Sequence, residues 1–276
     1  MKKSNRYLAK RYKNLNQKSF CQYSEGNLRR LSCIKSFYFD IHDIYPTPNN
    51  YVYRAIINNR STPCESIARI AYNPNPTYLS RANLVGQGVG YYACASDISI
   101  IEACQDNLKS TNTRYFELTV SKWKVRKVIP VQIICHSKQP QSVGTDLMDF
   151  YTATRDKRKQ ELTRGVYRSW FLKMKFISDQ YAKTNIKCER DYYLSGWHAK
   201  SFLRHPNIKG IIYPSVPYRY IGFNYAFSPD LFHDSSLELE EVFHYTVQFD
   251  NRDIKKYPNI TLVKSTKSFD KDKIIW

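Results

Sequence analysis

The chain has 276 residues, 42% of them hydrophobic and 15% aromatic. That is enough apolar material for a packed core, so a wholly disordered chain is excluded. The greasiest runs, residues 128–135 and 211–216, are strand-sized and fall short of the ~18 apolar residues that a membrane span needs. Lys and Arg number 43 against 24 Asp and Glu, a net charge of +19. A balance this basic suits solubility or a polyanionic partner but names neither.

The N-terminal residues carry charge without an apolar stretch, so no secretory signal is read there. Residues 1–36 hold ten basic and one acidic residue and read as a basic leader, partly helical, joined to the body near Ser36. Residues 37–276 then form one domain. The excess charge returns in residues 109–200, with nineteen basic and eight acidic residues, whereas residues 37–108 carry four and six. No helix-turn-helix, zinc finger or RNA-recognition motif accompanies it, so nucleic acid is carried only as an alternative partner. The seven cysteines, Cys21, Cys33, Cys64, Cys94, Cys104, Cys135 and Cys188, contain no CxxC spacing. Reduced thiols in a cytoplasmic protein, with no metal site, are expected.

Alternating β-branched and aromatic residues predict a strand over 51–58. Residues 72–90, rich in Asn, Pro and Gly, predict a loop. A short strand is expected at 91–94, and then a helix capped by Asp97, with Ile101, Cys104 and Leu108 at helical spacing. Two strands, 115–120 and 127–135, are read on either side of a basic turn, SKWKVRK. Helices follow over 144–183, and another capped by Ser195 ends before Pro206. Strands are expected from Gly210 and at 221–227, 242–248 and 259–264. Strands and helices without regular βαβ alternation predict an α+β fold.

Gly86-Gln-Gly88-Val-Gly90 superficially suggests a dinucleotide loop, but a strand follows it where a helix is required. Those glycines are assigned to a tight turn or a close backbone approach. A thiol nucleophile built from Cys94 or Cys104 with His198 is disfavoured, because most buried thiols are inert. The informative set is Arg54, then Arg81-Ala82-Asn83 with Gly86, then Tyr91 and Ala93, then Glu102, then Gly210-Ile-Ile-Tyr213-Pro214-Ser215 and Asn224-Tyr-Ala-Phe227.

This ordered set resembles the RES-domain family over roughly residues 51–231. The segment RANLVGQGVGYYACASDISIIEACQ is similar to the family's first block, and GIIYPSV with GFNYAFSP is similar to its second. One departure is Pro217 two positions after the serine, where the family often has a basic residue. Tyr92 also adjoins Tyr91 and competes for the family tyrosine's place.

The resemblance implies an ADP-ribosyltransferase-like body in which two small sheets flank a cleft for NAD, with helices around them. It implies an NAD+-degrading enzyme, acting by phosphorolysis or hydrolysis, as the toxin of a toxin–antitoxin pair, with an antitoxin covering the site. NAD is then the substrate and inorganic phosphate a co-substrate. A protein mono-ADP-ribosyltransferase and a non-enzymatic nucleic-acid binder are the alternatives. Glu102 is expected to stabilise an oxocarbenium-like ribose, which suits a carboxylate. Arg54 and Arg81 are expected to grip a diphosphate with forked hydrogen bonds that Lys cannot copy. Tyr91 is expected to position nicotinamide, and Asn83 and Ser215 to bind the ligand. On this reading Glu102, Arg81 and Tyr91 carry the catalysis.

Overall fold

The computed structural model describes residues 2–31, 41–44, 50–58, 62–110, 112–135, 145–250 and 256–276. Two helices come first, α1 (Lys2–Gln17) and α2 (Glu25–Leu31). The expected junction near Ser36 lies outside the described residues. Strands β1 (Ile41–Ile44) and β2 (Tyr51–Ile57), the short helix α3 (Ile67–Ala71), β3 (Gly90–Ala93) and α4 (Ser96–Ser110) follow. Then come β4 (Tyr115–Val125), β5 (Ile129–Ile133), α5 (Thr145–Glu161) and α6 (Arg164–Tyr181). A 3-10 turn (Glu189–Tyr192) leads into α7 (Tyr193–Leu203), β6 (Gly210–Pro214), β7 (Phe223–Phe227) and α8 (Asp230–His233). The chain closes with β8 (Leu237–Gln248), β9 (Asn259–Thr266) and the hairpin β10 (Ser268–Asp270) and β11 (Lys273–Ile275). The fold is mixed α+β.

Nine strands form one sheet in the order β1-β5-β6-β7-β3-β2-β4-β8-β9, antiparallel except for β5 beside β6. The expectation of two small sheets is corrected in this respect: the ladder is continuous. It is, however, thin at one place. β2 meets β3 through the single pair Tyr53↔Ala93, whereas β2 matches β4 over seven residues and β3 matches β7 over four. The sheet is therefore two halves joined by one residue pair, and the site lies at that junction.

β4 differs from its expectation for a clear physical reason. Its SKWKV segment, read as a turn because it is basic, continues the strand to Val125. Ser121, Trp123 and Val125 alternate inward and are buried, while Lys122 and Lys124 are less so. The alternation decides, as it must in a strand with a two-residue period. Phe116, Leu118 and Val120, on the opposite face, pack with Ile100, Cys104 and Leu108 of α4. Asp97 lies in the first turn of α4 rather than at its cap. Ser195 likewise lies inside α7, with its hydroxyl donating to the Tyr192 carbonyl at 3.0 Å.

The first helices belong to the body. α1 runs along α6, where Tyr12 stacks on Phe176 with ring centroids 4.5 Å apart. Tyr12, Leu15, Phe20 and Leu28 share a core with Phe176, Tyr181 and Phe202. The expectation of reduced cysteines is also corrected. Cys21 is bonded to Cys188 across 167 residues of sequence. Cys64, Cys94, Cys104 and Cys135 form no disulfide, and Cys33 lies outside the described residues. Among the described residues no helix is long and apolar enough to cross a membrane.

Candidate active site

Where the two halves of the sheet part, a cavity of about 380 Å³ opens. Arg54 from β2, Arg81 and Asn83 from the 72–89 loop, Tyr91 from β3 and Glu102 from α4 all line it. Ser215 does not.

Arg54 is carried in by the strand alternation of β2, and its Nη1 donates to the Tyr91 carbonyl at 3.2 Å. That bond crosses the gap just where the ladder between β2 and β3 stops. Its Nε is buried and has no partner among the described residues. Burial holds its pKa below the usual guanidinium range, and nearby tyrosines oppose that shift only in part. Among the described residues no carboxylate pairs with it, so the charge is poised for an anionic ligand.

Arg81 is fixed differently. Its Nη1 donates to the carbonyls of Tyr181 and Lys183, the latter at 3.2 Å, at the C-terminal end of α6. Its guanidinium lies 5.1 Å from the centre of the Tyr192 ring, a cation–π contact. The segment beneath is itself anchored. Glu189 accepts from the Leu79 amide at 2.9 Å, and Asp191 accepts from the amides of Phe20 at 2.6 Å and Lys187 at 2.9 Å. Burial alone would raise the Asp191 carboxyl. Those amides, the Lys183 ammonium and the Ser19 hydroxyl outweigh it and hold the pKa below the ordinary value.

Tyr91 presents its ring to the cavity while its hydroxyl is tied down on the far side. The hydroxyl donates to Asn83 Oδ1 at 2.8 Å, accepts from the Ala82 amide at 3.0 Å, and contacts the Ser80 hydroxyl. Burial pushes its pKa far above the ordinary tyrosine value. Its contribution is therefore a fixed aromatic surface, not a proton. Tyr92 points into the main core, donates to the Ala71 carbonyl at 2.7 Å and meets Trp123 edge-on. Successive residues of a strand face opposite sides, which separates the two tyrosines.

Glu102 is held by three neutral donors. Ser215 Oγ donates to its Oε1 at 2.6 Å, Asn224 Nδ2 donates to the same oxygen, and Gln105 Nε2 donates to Oε2 at 3.0 Å. This placement revises the expected role of Ser215: it is fully buried and stands behind the carboxylate, not on a cavity wall. Asn83 is used in a similar way. Its Nδ2 donates to the carbonyls of Tyr78 and Leu84, both at 3.0 Å, and its Oδ1 accepts from Tyr91 and Ser80. It shapes the loop beside the cavity.

The sequence pattern includes Asn224 without giving it a role, and it does not single out Gln105 or Tyr192. The three-residue spacing of Glu102 and Gln105 on a helix was a usable signal, because such pairs share a face. Nothing local marks Tyr192. Gly86, with φ +70, makes the tight turn expected of it, with its amide donating to the Pro76 carbonyl at 2.8 Å. The thiols are differently engaged: burial raises Cys104 to about 12 and also raises Cys94. His198 is buried, and its Nδ1 lies 3.2 Å from the Tyr181 hydroxyl. Among the described residues one group has metal-ligand proximity, Cys21, Cys188 and Asp191. Its sulfurs are already bonded to each other.

The chain matches no protein-family model, and no curated protein matches it.

Proposed function

We propose that the protein cleaves the nicotinamide–ribose bond of NAD+ in this cavity, within an ADP-ribosyltransferase-like cleft. The observation that carries the reading is one hollow holding two arginines without carboxylate partners among the described residues together with a carboxylate fixed by three neutral donors. A diphosphate ester supplies the anion that the arginines lack among the described residues, and a fixed carboxylate suits a developing sugar cation.

Arg54 and Arg81 bind the diphosphate. Tyr91 offers its ring to nicotinamide and holds the glycosidic bond in a reactive pose. As the C1″–N bond breaks, its electron pair stays on the nicotinamide nitrogen, which leaves neutral. The positive charge then grows on the ribose, beside Glu102. Ser215, Asn224 and Gln105 keep the carboxylate oriented, so no reorganisation is needed at that moment. A phosphate or water oxygen forms the new bond to C1″, and where water is the acceptor its proton is released to solvent. A toxin role in the cytoplasm, restrained by an antitoxin, follows from the family resemblance.

Nicotinamide release from NAD+ tests the reading. Release is expected, and its dependence on added inorganic phosphate identifies the acceptor. Glu102→Gln is expected to lower turnover by about 10²–10³ with the fold retained by circular dichroism. Intact NAD+ in both phosphate and phosphate-free buffer would overturn it, and label appearing on a protein would redirect it to a transferase.

A further inference from the structure

α1 and α6 lie side by side and point the same way. Near their starts Asn5 Nδ2 donates to the Gly165 carbonyl at 3.2 Å, and near their ends Asn16 Nδ2 donates to Asp179 at 2.7 Å. α1 has six basic residues and no acidic one, and α6 has four basic residues and a single acid, Asp179. That acid is occupied by Asn16 and by Lys175 at 3.1 Å. Arg6, Lys10 and Lys13 fall at helical spacing on α1, as do Arg164 and Arg168 on α6, and all five are exposed. None of the five ends at a carboxylate among the described residues. Tyr7 stands among them at 64% exposure.

Three classes of partner suit a cationic helical face, and the geometry separates them. An anionic membrane is met by an amphipathic helix that buries its apolar side in lipid. Here Tyr12 and Leu15, the apolar side of α1, are already buried in the protein core. An acidic protein needs an apolar centre to its interface, and among the described residues Tyr7 is the one large exposed apolar side chain on this face. A nucleic-acid backbone needs neither. Its phosphates are bound by charge and released counterions, and an exposed aromatic can stack on a base.

We infer that the exposed face of α1 and α6 binds the sugar–phosphate backbone of nucleic acid without reading sequence. This surface is separate from the cavity, and the inference stands whether or not NAD+ is cleaved.

Fluorescence anisotropy of the full chain with a labelled random-sequence DNA duplex and with a labelled single-stranded RNA tests it. With five phosphate contacts the slope of log K against log salt is expected near about −4 to −5 on duplex DNA. Affinity then falls by roughly 10²–10³ between about 50 and 200 mM salt. The triple variant Arg6→Gln, Lys10→Gln, Lys13→Gln is expected to make the slope shallower by about 3, and Arg164→Gln with Arg168→Gln by about 2. All five side chains are exposed, so circular dichroism and the melting temperature should stay unchanged, which separates lost contacts from lost fold. No binding at low salt would overturn the inference. So would slopes that neither variant alters, or phosphatidylserine vesicles or polyglutamate competing as well as nucleic acid does.

Discussion

Arg54 does two things with one side chain. Its Nη1 bridges the gap between β2 and β3, and its buried Nε has no partner among the described residues. Glu102 sits opposite with the reverse situation, an anion already surrounded by donors. Two substitutions distinguish these roles. Arg54→Lys removes the fork and should raise KM for NAD+ by about 10- to 100-fold with a smaller effect on kcat, as loss of a charged hydrogen bond predicts. Ser215→Ala leaves ligand contacts intact but frees one side of Glu102, so kcat should fall by about tenfold with KM nearly unchanged. Steady-state kinetics of both variants decide. If Ser215→Ala moved KM instead, the serine would belong to the ligand site and not to the carboxylate. That Arg54, Arg81, Tyr91 and Glu102 share one cavity agrees with the ordered set that resembles the RES-domain family. The duties of Ser215 and Asn83 were not legible in the sequence, because a hydroxyl or an amide looks the same whether it meets a ligand or a neighbour.

At the scale of elements, the cavity depends on how the 72–89 loop is clamped. Tyr91 holds it from β3 and Glu189 from the 3-10 turn, while α7 presses on it from behind. α7 comes close because residue 196 is glycine: a Cβ there would stand 2.6 Å from the Asn83 carbonyl oxygen. Gly196→Ala should therefore push the loop and α7 apart, costing about 1–3 kcal/mol. It should also lower nicotinamide release, although no ligand contact is altered. Urea unfolding read alongside activity checks both, and unchanged values for both would show that the loop is not held from that side. Most strands and helices were legible from periodicity. The charge of SKWKV suggests a turn, but its alternation governs: Ser121, Trp123 and Val125 are buried, with Lys122 and Lys124 between them. β10 and β11 are three residues each, too short to leave a pattern. The thin junction between β2 and β3 is a property of sheet order, which no local pattern encodes.

For the molecule as a whole, residues 2–31 behave as part of the body and not as an appendage. Phe20 is fully buried, Asp191 takes its amide, and the Cys21–Cys188 bond ties the two segments covalently. A cross-link over so long a loop stabilises mainly by restricting the unfolded chain. Cys21→Ser with Cys188→Ser, or reduction by dithiothreitol, should lower stability by about 2–5 kcal/mol. The urea midpoint in each state measures it, and an unchanged midpoint would mean that the bond adds nothing to the packing around it. The sequence hid this arrangement because cysteine spacing alone cannot report which thiols meet. The apolar residues of this segment, Tyr12, Leu15, Phe20 and Leu28, are few and spread among many charges.

The residues that steady Glu102 come much later in the chain than Glu102 itself: Ser215 follows by 113 positions and Asn224 by 122. Arg81 likewise rests on carbonyls 100 and 102 positions further on. A polypeptide still being made on the ribosome thus carries Arg81 and Glu102 well before it can aim either of them. The proposed cleavage of NAD+ would then be withheld, by chain order alone, until the segment carrying Asn224 has been made.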